Sequence, residues 1–379
     1  MLRLTRLRLT RFRSYATAEL RFGAPMIVFT GPNGAGKTNL LEAISLLGPG
    51  RGLRGARISE VAMQGAPSPS PMNWAVSGHF DDGLDGFELG TGSLKEGSAE
   101  RRAFRLDGEK PRAQADLAER VAAVWITPQM DRLFQDSAGG RRRFLDRLAM
   151  ALEPHLAREI TAYEAAMASR NRLFAKGRAE AAWLASLEDA MARHGIAIAA
   201  SRRALVARLN AALAGGAAGE FPAAILALQC PAAALLDQMP ALAAEEALRA
   251  SWTASRPRDA AAGATLSGPH RADILFTHAA KSMPAGLCST GEQKALLIST
   301  VLAHAGLIAD ARGFAPLLLL DEVAAHLDEQ RRRALFAALA ALPAQSFLTG
   351  TDEEVFSPIS QDAEHWRISP GEAQATPLP

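Results

Sequence analysis

Residues 31–38 read Gly31-Pro32-Asn33-Gly34-Ala35-Gly36-Lys37-Thr38, which fits the pattern G-x-x-x-x-G-K-[ST]. This pattern restricts the fold because it works only where a buried strand runs into it and a helix leaves it. Both flanks comply. Met26-Ile27-Val28-Phe29 is the continuous apolar run of a strand covered on both faces, and Leu40, Leu41, Ile44 and Leu47 have helical spacing up to the stop at Gly48-Pro49-Gly50. Glycines let backbone N–H groups turn inward around phosphate oxygens, and the helix N-terminus adds partial positive charge. In that arrangement Lys37 reaches the β and γ phosphates of a nucleotide, and Thr38 places its hydroxyl on Mg²⁺. The alternative is a glycine-rich turn with a surface lysine. It needs a chance match, with odds of roughly one in a hundred in a chain of this size.

The rest of the pattern describes an α/β chain. Leu7 and Leu9 alternate with Arg8 and Thr10, as in a half-buried strand. Residues 51–110 hold short alternating pieces, such as Trp74 to Phe80 and Ala103 to Leu106, which read as antiparallel strands. Within them Pro67-Ser68-Pro69-Ser70-Pro71 reads as a surface loop. Val121 to Thr127 suits another buried strand. From Pro128 to about residue 250 good helix formers dominate, with breaks expected at Pro154, Gly177, Gly195 and Gly215-Gly216 and no sustained heptads. After residue 265 strand-like and helix-like segments alternate again, the most apolar being Leu317 to Leu320. The two chain ends therefore share one sheet. The expected organisation is a discontinuous head, residues 1–125 and 265–379, interrupted by a helical insert, residues 126–264. From Ser369 onward the chain reads as a loose tail.

Composition narrows the function classes. With 48% hydrophobic and 22% charged residues, intrinsic disorder is excluded as the main state. A net charge of +2 says nothing for or against a nucleic-acid partner, so any such argument is local. Arg3, Arg6, Arg8, Arg11 and Arg13, together with Arg141-Arg142-Arg143, can neutralise backbone phosphates. They equally fit a solvated strand face and a helix start paired with acidic neighbours. Cys230 and Cys288 lack metal-ligand spacing, which argues against a disulfide scaffold and for a reducing cytosol. The arginine-rich start lacks the apolar core of a signal peptide, and the apolar stretch Phe221 to Leu236 is interrupted by Pro222, Gln229 and Pro231. The expectation is a cytoplasmic protein with no membrane partner.

Two further motifs follow in order. Leu317 to Leu320 ends in Asp321-Glu322, an apolar strand delivering carboxylates at its C-terminal end, where open α/β sheets bind ligands. Asp321 would hold Mg²⁺ through its water shell, and Glu322 would orient or deprotonate an attacking water. Ser289-Thr290-Gly291-Glu292-Gln293 precedes a helix-like run from Lys294 to His304. Taken alone it is a capping box, with Ser289 and Glu292 exchanging hydrogen bonds in the first turn.

Phosphate loop, serine–glycine segment, Asp321-Glu322, Asp328 and the strand Phe347-Leu348-Thr349 occur in the order of an ABC-type ATPase. More specifically, the chain resembles the RecF family, relatives of the SMC and Rad50 heads. The likeness rests on Leu7 to Tyr15 (LRLTRFRSY), Gly31 to Ile44 (GPNGAGKTNLLEAI), Arg141 to Asp146 (RRRFLD), Ala168 to Asn171 (ASRN), Gly268 to Arg271 (GPHR) and Ser289 to Lys294 (STGEQK). It implies a P-loop head with an inserted helical domain and ATP and Mg²⁺ as cofactors. Gly31 to Asn39, Gln129, Ser289, Gly291, Asp328 and Thr349 would contact nucleotide, Thr38, Gln129 and Asp321 would serve the metal, and Glu322 and Lys37 would serve hydrolysis; at the strand end either Thr349 or Thr351 would lie near the γ-phosphate, unless Thr349 merely ends the strand. Gln129 stands where many relatives carry Glu. The resemblance further implies an ATP-induced homodimer, in which Ser289 and Gly291 reach the γ-phosphate bound to the opposite subunit. It also implies duplex DNA near single-strand gaps as ligand, slow DNA-stimulated hydrolysis, and RecO and RecR as partners in loading RecA. The alternative within the same resemblance is a nucleotide-gated SMC-like DNA-binding module in which hydrolysis is incidental. His270 and Arg271 read as structural, because Gly268-Pro269 marks a turn into the strand Ile274 to Phe276.

Overall fold

The computed structural model describes residues 1–63, 74–96, 99–112, 114–177 and 180–378, so the Pro67 to Pro71 segment lies outside the described residues. Alternation at the N-terminus yields β1 (Arg3–Phe12), with Leu4, Leu7 and Leu9 buried. It is followed by β2 (Tyr15–Arg21) and β3 (Met26–Thr30), the latter buried along its whole length. Next come α1 (Lys37–Leu47), α2 (Ile58–Val61), β4 (Ala75–Asp81), β5 (Phe87–Glu96), β6 (Ala99–Leu106), α3 (Gln114–Arg120) and β7 (Ala123–Ile126). The middle of the chain holds α4 (Ala138–Leu152), α5 (Leu156–Ala175), α6 (Ala181–Ala214), β8 (Ala224–Gln229), α7 (Pro231–Leu235), α8 (Ala241–Ala262), β9 (Asp273–His278) and β10 (Met283–Pro284). The last third adds α9 (Thr290–Arg312), β11 (Leu317–Leu320), α10 (Glu329–Ala341), β12 (Ser346–Gly350), β13 (Ala363–Ser369) and β14 (Glu372–Ala375).

These elements form two compact units. The first comprises Met1–Asp131, Ala217–Pro222 and Thr290–Pro379, and the second Arg132–Gly216 and Ala223–Ser289. The sequence pattern draws the boundaries at residues 125/126 and 264/265. The extension of the second unit to Ser289 follows from strand pairing, since β9 joins β8 and β10 in a three-stranded antiparallel sheet and thereby belongs with the insert.

In the first unit an antiparallel sheet, β2-β1-β4-β5-β6, and a six-stranded sheet, β14-β13-β3-β12-β11-β7, are bridged by α1, which packs on β1, β4 and β5 from one side and β12 from the other. The five strands from β13 to β7 run parallel, and their apolar residues need cover on both faces. Phe22, Phe29, Phe347 and Trp366 provide one aromatic cluster, with Phe22 lying 5.3 Å from Phe347 and 5.9 Å from Trp366 between ring centroids. The Arg102 guanidinium closes the C-terminal end of α1 by donating to the carbonyls of Leu46, Gly48 and Gly50, which lack partners within the helix. Helix α9 is long and apolar enough to cross a bilayer, with mean hydropathy 1.4 over its most apolar window, but 72% of that window is buried inside the protein. It serves as the core helix of this unit.

Three expectations from the sequence need correction. Gly195 does not break a helix: α6 runs through it. A Cβ at that position would lie 3.2 Å from Pro269 Cγ and 3.3 Å from Tyr163 Cε2, so the glycine permits close packing. The insert is not wholly helical, because Ala224 to Gln229 pairs with β9 as a strand despite its helix-forming residues. Here tertiary pairing overrides propensity. Finally, the segment after Ser369 is not loose as far as Ala375, since β14 pairs with β13 and Thr376 N–H donates to His365 O at 3.0 Å.

The second unit is held by a buried ion network. Arg170, fully buried, donates to Glu188 at 3.0 Å, to Asp259 and Thr265 Oγ1 at 2.8 and 2.9 Å, and to Trp252 O at 3.2 Å. This accounts for the Ala168 to Asn171 motif in structural terms. His270 is structural as well: its Nδ1 lies 2.7 Å from Tyr163 Oη and its Nε2 3.0 Å from Thr265 O, and burial pushes its pKa down.

Candidate functional site

Parallel pairing of β3, β12, β11 and β7 brings four strand ends to one edge of the sheet. The glycine-rich loop leaves β3 there, and α1 begins at Lys37 directly after it. Gly31 has φ +149°, and a Cβ on it would stand 2.2 Å from the carbonyl oxygen of Ile368 at the end of β13. Only glycine fits that approach. Gly36, at φ +112°, carries the chain into α1, and its carbonyl accepts from Tyr15 Oη at 3.2 Å. The Lys37 ammonium, nearly buried, donates to Gly31 O at 2.8 Å and Pro32 O at 3.0 Å, so it lies over the loop. Burial lowers its pKa, while the charges of Glu322 and Asp321 hold it up.

Asp321 follows β11, and its backbone N–H donates to Ile126 O at the end of β7. Its carboxylate accepts from Thr38 Oγ1 at 2.9 and 3.1 Å and from Thr349 Oγ1, at the end of β12, at 2.8 Å. Burial raises the pKa of Asp321, the hydroxyls of Thr349 and Thr38 oppose that rise, and the neighbouring Glu322 adds to it. A buried carboxylate held this way favours a cation. Together with Gln129, this carboxylate and hydroxyl are oxygen groups of the kind that hold Mg²⁺ directly or through its waters. Glu322 adopts φ +52°, a left-handed conformation rare outside glycine, and its N–H donates to Thr349 Oγ1 at 2.9 Å.

The other expected residues are placed as follows. Gln129 lies exposed three residues beyond β7, past the same sheet edge as Asp321. Gly291 sits in the first turn of α9, and Asp328 caps α10 by accepting from Arg331 N–H at 2.8 Å. Gly291 and Asp328 meet at Arg331, whose Nη1 lies 3.5 Å from Asp328 Oδ2 and 2.9 Å from where a Cβ on Gly291 would stand. Ser289, exposed, ends the second unit immediately before α9. The Asn39 side chain is held by neighbours: its Nδ2 donates to Ser14 Oγ at 3.0 Å and its Oδ1 accepts from Arg54 at 2.8 Å.

Several supporting residues escaped the sequence reading. Glu42, on α1, is buried and binds both Arg13 at 2.6 Å and Arg54 at 2.9 Å. Lys294, on α9, lies 3.7 Å from Asp131, and its pKa is lowered by burial against the attraction of Asp131 and Glu322. An isolated acid inside the helical pattern of α1 was the available signal for Glu42; no comparable signal marks Arg331. Of the N-terminal arginines, Arg6 pairs with Glu88 at 3.1 Å, Arg8 with Glu19 at 2.7 Å, and Arg13 with Glu42. Arg141 makes a bidentate pair with Asp273 at 2.8 and 2.6 Å, whereas Arg143 and Arg271 are exposed.

The family model for the RecF/RecN/SMC N terminal domain matches residues 3–368. The chain is 46% identical over 372 residues to the DNA replication and repair protein RecF of Allorhizobium ampelinum, covering 97% of each chain. The chain belongs to the RecF family. RecF of Rhizobium meliloti is 45% identical over 373 residues, again covering 97% of both chains. Among solved structures, the recombination mediator RecF-ATPrS of the RecFOR pathway superposes with a TM-score of 0.85 at 21% identity, covering 99% of this chain and 98% of the other. The RecF-ATP structure gives 0.82 at 22% identity, covering 99% of both. The Smc head from Pyrococcus furiosus, solved with an extended coiled coil and bound to the C-terminal domain of ScpA, gives 0.51 at 16%, covering 100% of this chain and 96% of the other. The expected α/β head of RecF and SMC type is therefore the fold of this chain.

Proposed function

We propose that this RecF-family chain is an ATP-dependent DNA-binding protein of recombinational repair. The observation that carries the reading is the convergence of the Lys37 loop, Thr38, Asp321, Glu322 and Thr349 at one edge of a parallel sheet. Gly31 to Asn39 cradle the triphosphate, and Lys37 binds its β and γ phosphates. Thr38 and Asp321 hold Mg²⁺, which supplies charge neutralisation on the phosphates, and Gln129 reaches the metal or its water. Glu322 orients or deprotonates the attacking water in a slow, DNA-stimulated hydrolysis.

Ser289, Gly291 and Asp328 act in the second copy of an ATP-induced homodimer, where the N-terminal end of α9 meets the γ-phosphate. That dimer grips duplex DNA near single-strand gaps and assists RecA loading with RecO and RecR. The relatives support this assignment: they are DNA replication and repair proteins, and one solved relative is the recombination mediator RecF-ATP of the RecFOR pathway. The test is sedimentation of wild-type protein and Glu322→Gln with and without ATP and gapped duplex. An ATP-dependent dimer that binds the DNA, held longer by Glu322→Gln, is expected; a monomer indifferent to both would refute the proposal.

A further inference from the structure

We propose that Thr349 is a positioning residue that sets the backbone of Glu322 and the rotamer of Asp321, and does not itself serve as a phosphate contact. The inference rests on the ATPase reading above. Thr349 ends β12, the strand between β3 and β11, and is 1% exposed. Its hydroxyl has one proton, and the two hydrogen bonds it makes leave no choice of direction. The N–H of Glu322 is a donor, so Thr349 Oγ1 accepts there at 2.9 Å, and its own proton goes to Asp321 Oδ1 at 2.8 Å.

One side chain thereby links the two consecutive acids from a neighbouring strand. Glu322 needs such a link because its left-handed backbone, φ +52°, is unfavourable for a residue with a Cβ and persists only when its surroundings impose it. The direction of the Glu322 side chain follows from that backbone. Thr38 also donates to Asp321, but it is the expected metal ligand, whereas both bonds of the Thr349 hydroxyl go to Asp321 and Glu322. A phosphate contact would require the same single proton and would release Asp321.

Thr349→Val keeps the shape and removes both bonds; Thr349→Ser keeps both and loses only a methyl group. Three measurements separate positioning from binding: steady-state ATPase activity, ATPγS affinity by calorimetry, and hydrogen exchange at the Glu322 amide in nucleotide-free protein. For Thr349→Val, kcat should fall by about 10–100-fold, as for loss of a group that orients a metal-site ligand, with ATPγS affinity within about threefold of wild type and faster exchange at the Glu322 amide. Thr349→Ser should retain kcat within about threefold. Wild-type kcat in the valine variant, an equal fall in the serine variant, or ATPγS affinity lost in step with kcat would each overturn the proposal. If the valine variant does not fold, Thr349→Ala, which also lacks the hydroxyl, takes its place in the same three measurements with the same expected outcomes. Failure of the wild-type chain to bind ATPγS would instead refute the ATPase reading, and exchange at the Glu322 amide would still report the Thr349 bond.

Discussion

Thr38 and Asp321, 283 positions apart in the chain, are joined through a hydroxyl that reaches both carboxylate oxygens, at 2.9 and 3.1 Å. The contact ties the start of α1 to the end of β11 across the intervening β12. It also places a carboxylate where burial outweighs the hydrogen bonds it receives, so its folded pKa lies above the unfolded value. From the ordinary carboxylate range up to that raised value, the native state binds more protons than the unfolded state. Native stability therefore falls as pH rises through this window and stays reduced above it.

Asp321→Asn removes that charge yet keeps an acceptor for both hydroxyls. Its thermal midpoint at pH 8 should exceed that of wild type by about 2–4 °C, and the gain should shrink as pH is lowered into the ordinary carboxylate range. ATP hydrolysis should be lost in the same variant, because the carboxylate bonded to Thr38 is gone from the metal position. Calorimetric melts over pH 4–8 check this; an unchanged or lower midpoint at pH 8 contradicts it.

Gly31→Ala tests the loop. The new Cβ would meet Ile368 O at 2.2 Å in a backbone conformation that alanine avoids, so the loop or the end of β13 must shift. ATPγS affinity should fall at least about tenfold, equivalent to 1.4 kcal/mol. Titration calorimetry reads the change, and wild-type affinity would show that the loop does not require glycine there.

Arg170 anchors the second unit from a fully buried position, facing two carboxylates. Arg170→Met leaves Glu188 and Asp259 with an incomplete set of partners, although Arg256 still reaches Glu188 at 2.6 Å. The unit should lose about 3–5 kcal/mol of stability. Arg170→Lys should rescue little, because an ammonium cannot reproduce the guanidinium fork. Urea titration with hydrogen exchange read over residues 132–289 measures both, and a loss under about 1 kcal/mol in the methionine variant would remove the network from its assigned role.

DNA binding, if carried by backbone phosphates, should depend on arginines that carboxylates do not already hold. Arg143 is exposed, and so is Arg271, in spite of the structural role expected for it, whereas Arg8 pairs with Glu19 at 2.7 Å. Arg143→Ala and Arg271→Ala should each weaken duplex binding at every sequence and reduce the slope of log K against log salt by about 1. Arg8→Ala should leave that slope nearly unchanged. Fluorescence anisotropy at several salt concentrations distinguishes the cases, and a larger loss for Arg8→Ala would reverse the assignment.

Much of the head was legible because its signals are local. Gly31 to Thr38 needs particular φ angles and a flanking strand and helix, all encoded within about twenty consecutive residues. The burial of β3 and β11 follows from continuous apolar runs that only a covered parallel sheet accommodates. Less legible were features in which a residue has two uses. Gly195 reads as a helix stop but is a close-packing point, and Ala224 to Gln229 reads as helix former but pairs as a strand. β14 lies in a segment rich in Pro, Gly and Ala, and its pairing depends on a partner strand that composition does not reveal.

The amino-acid order by itself determined the phosphate loop, the acidic strand end and the identity of the side chains offered there, because each is a short-range pattern with its own backbone requirement. Tertiary structure decided what those side chains touch. It set Thr349 between Asp321 and Glu322, gave Arg13 and Arg54 a shared buried acid in Glu42, and paired Arg141 with Asp273. The physical reason is range: a hydrogen bond acts over about 3 Å, and only the sheet order and the packing of α1 bring distant residues within that reach.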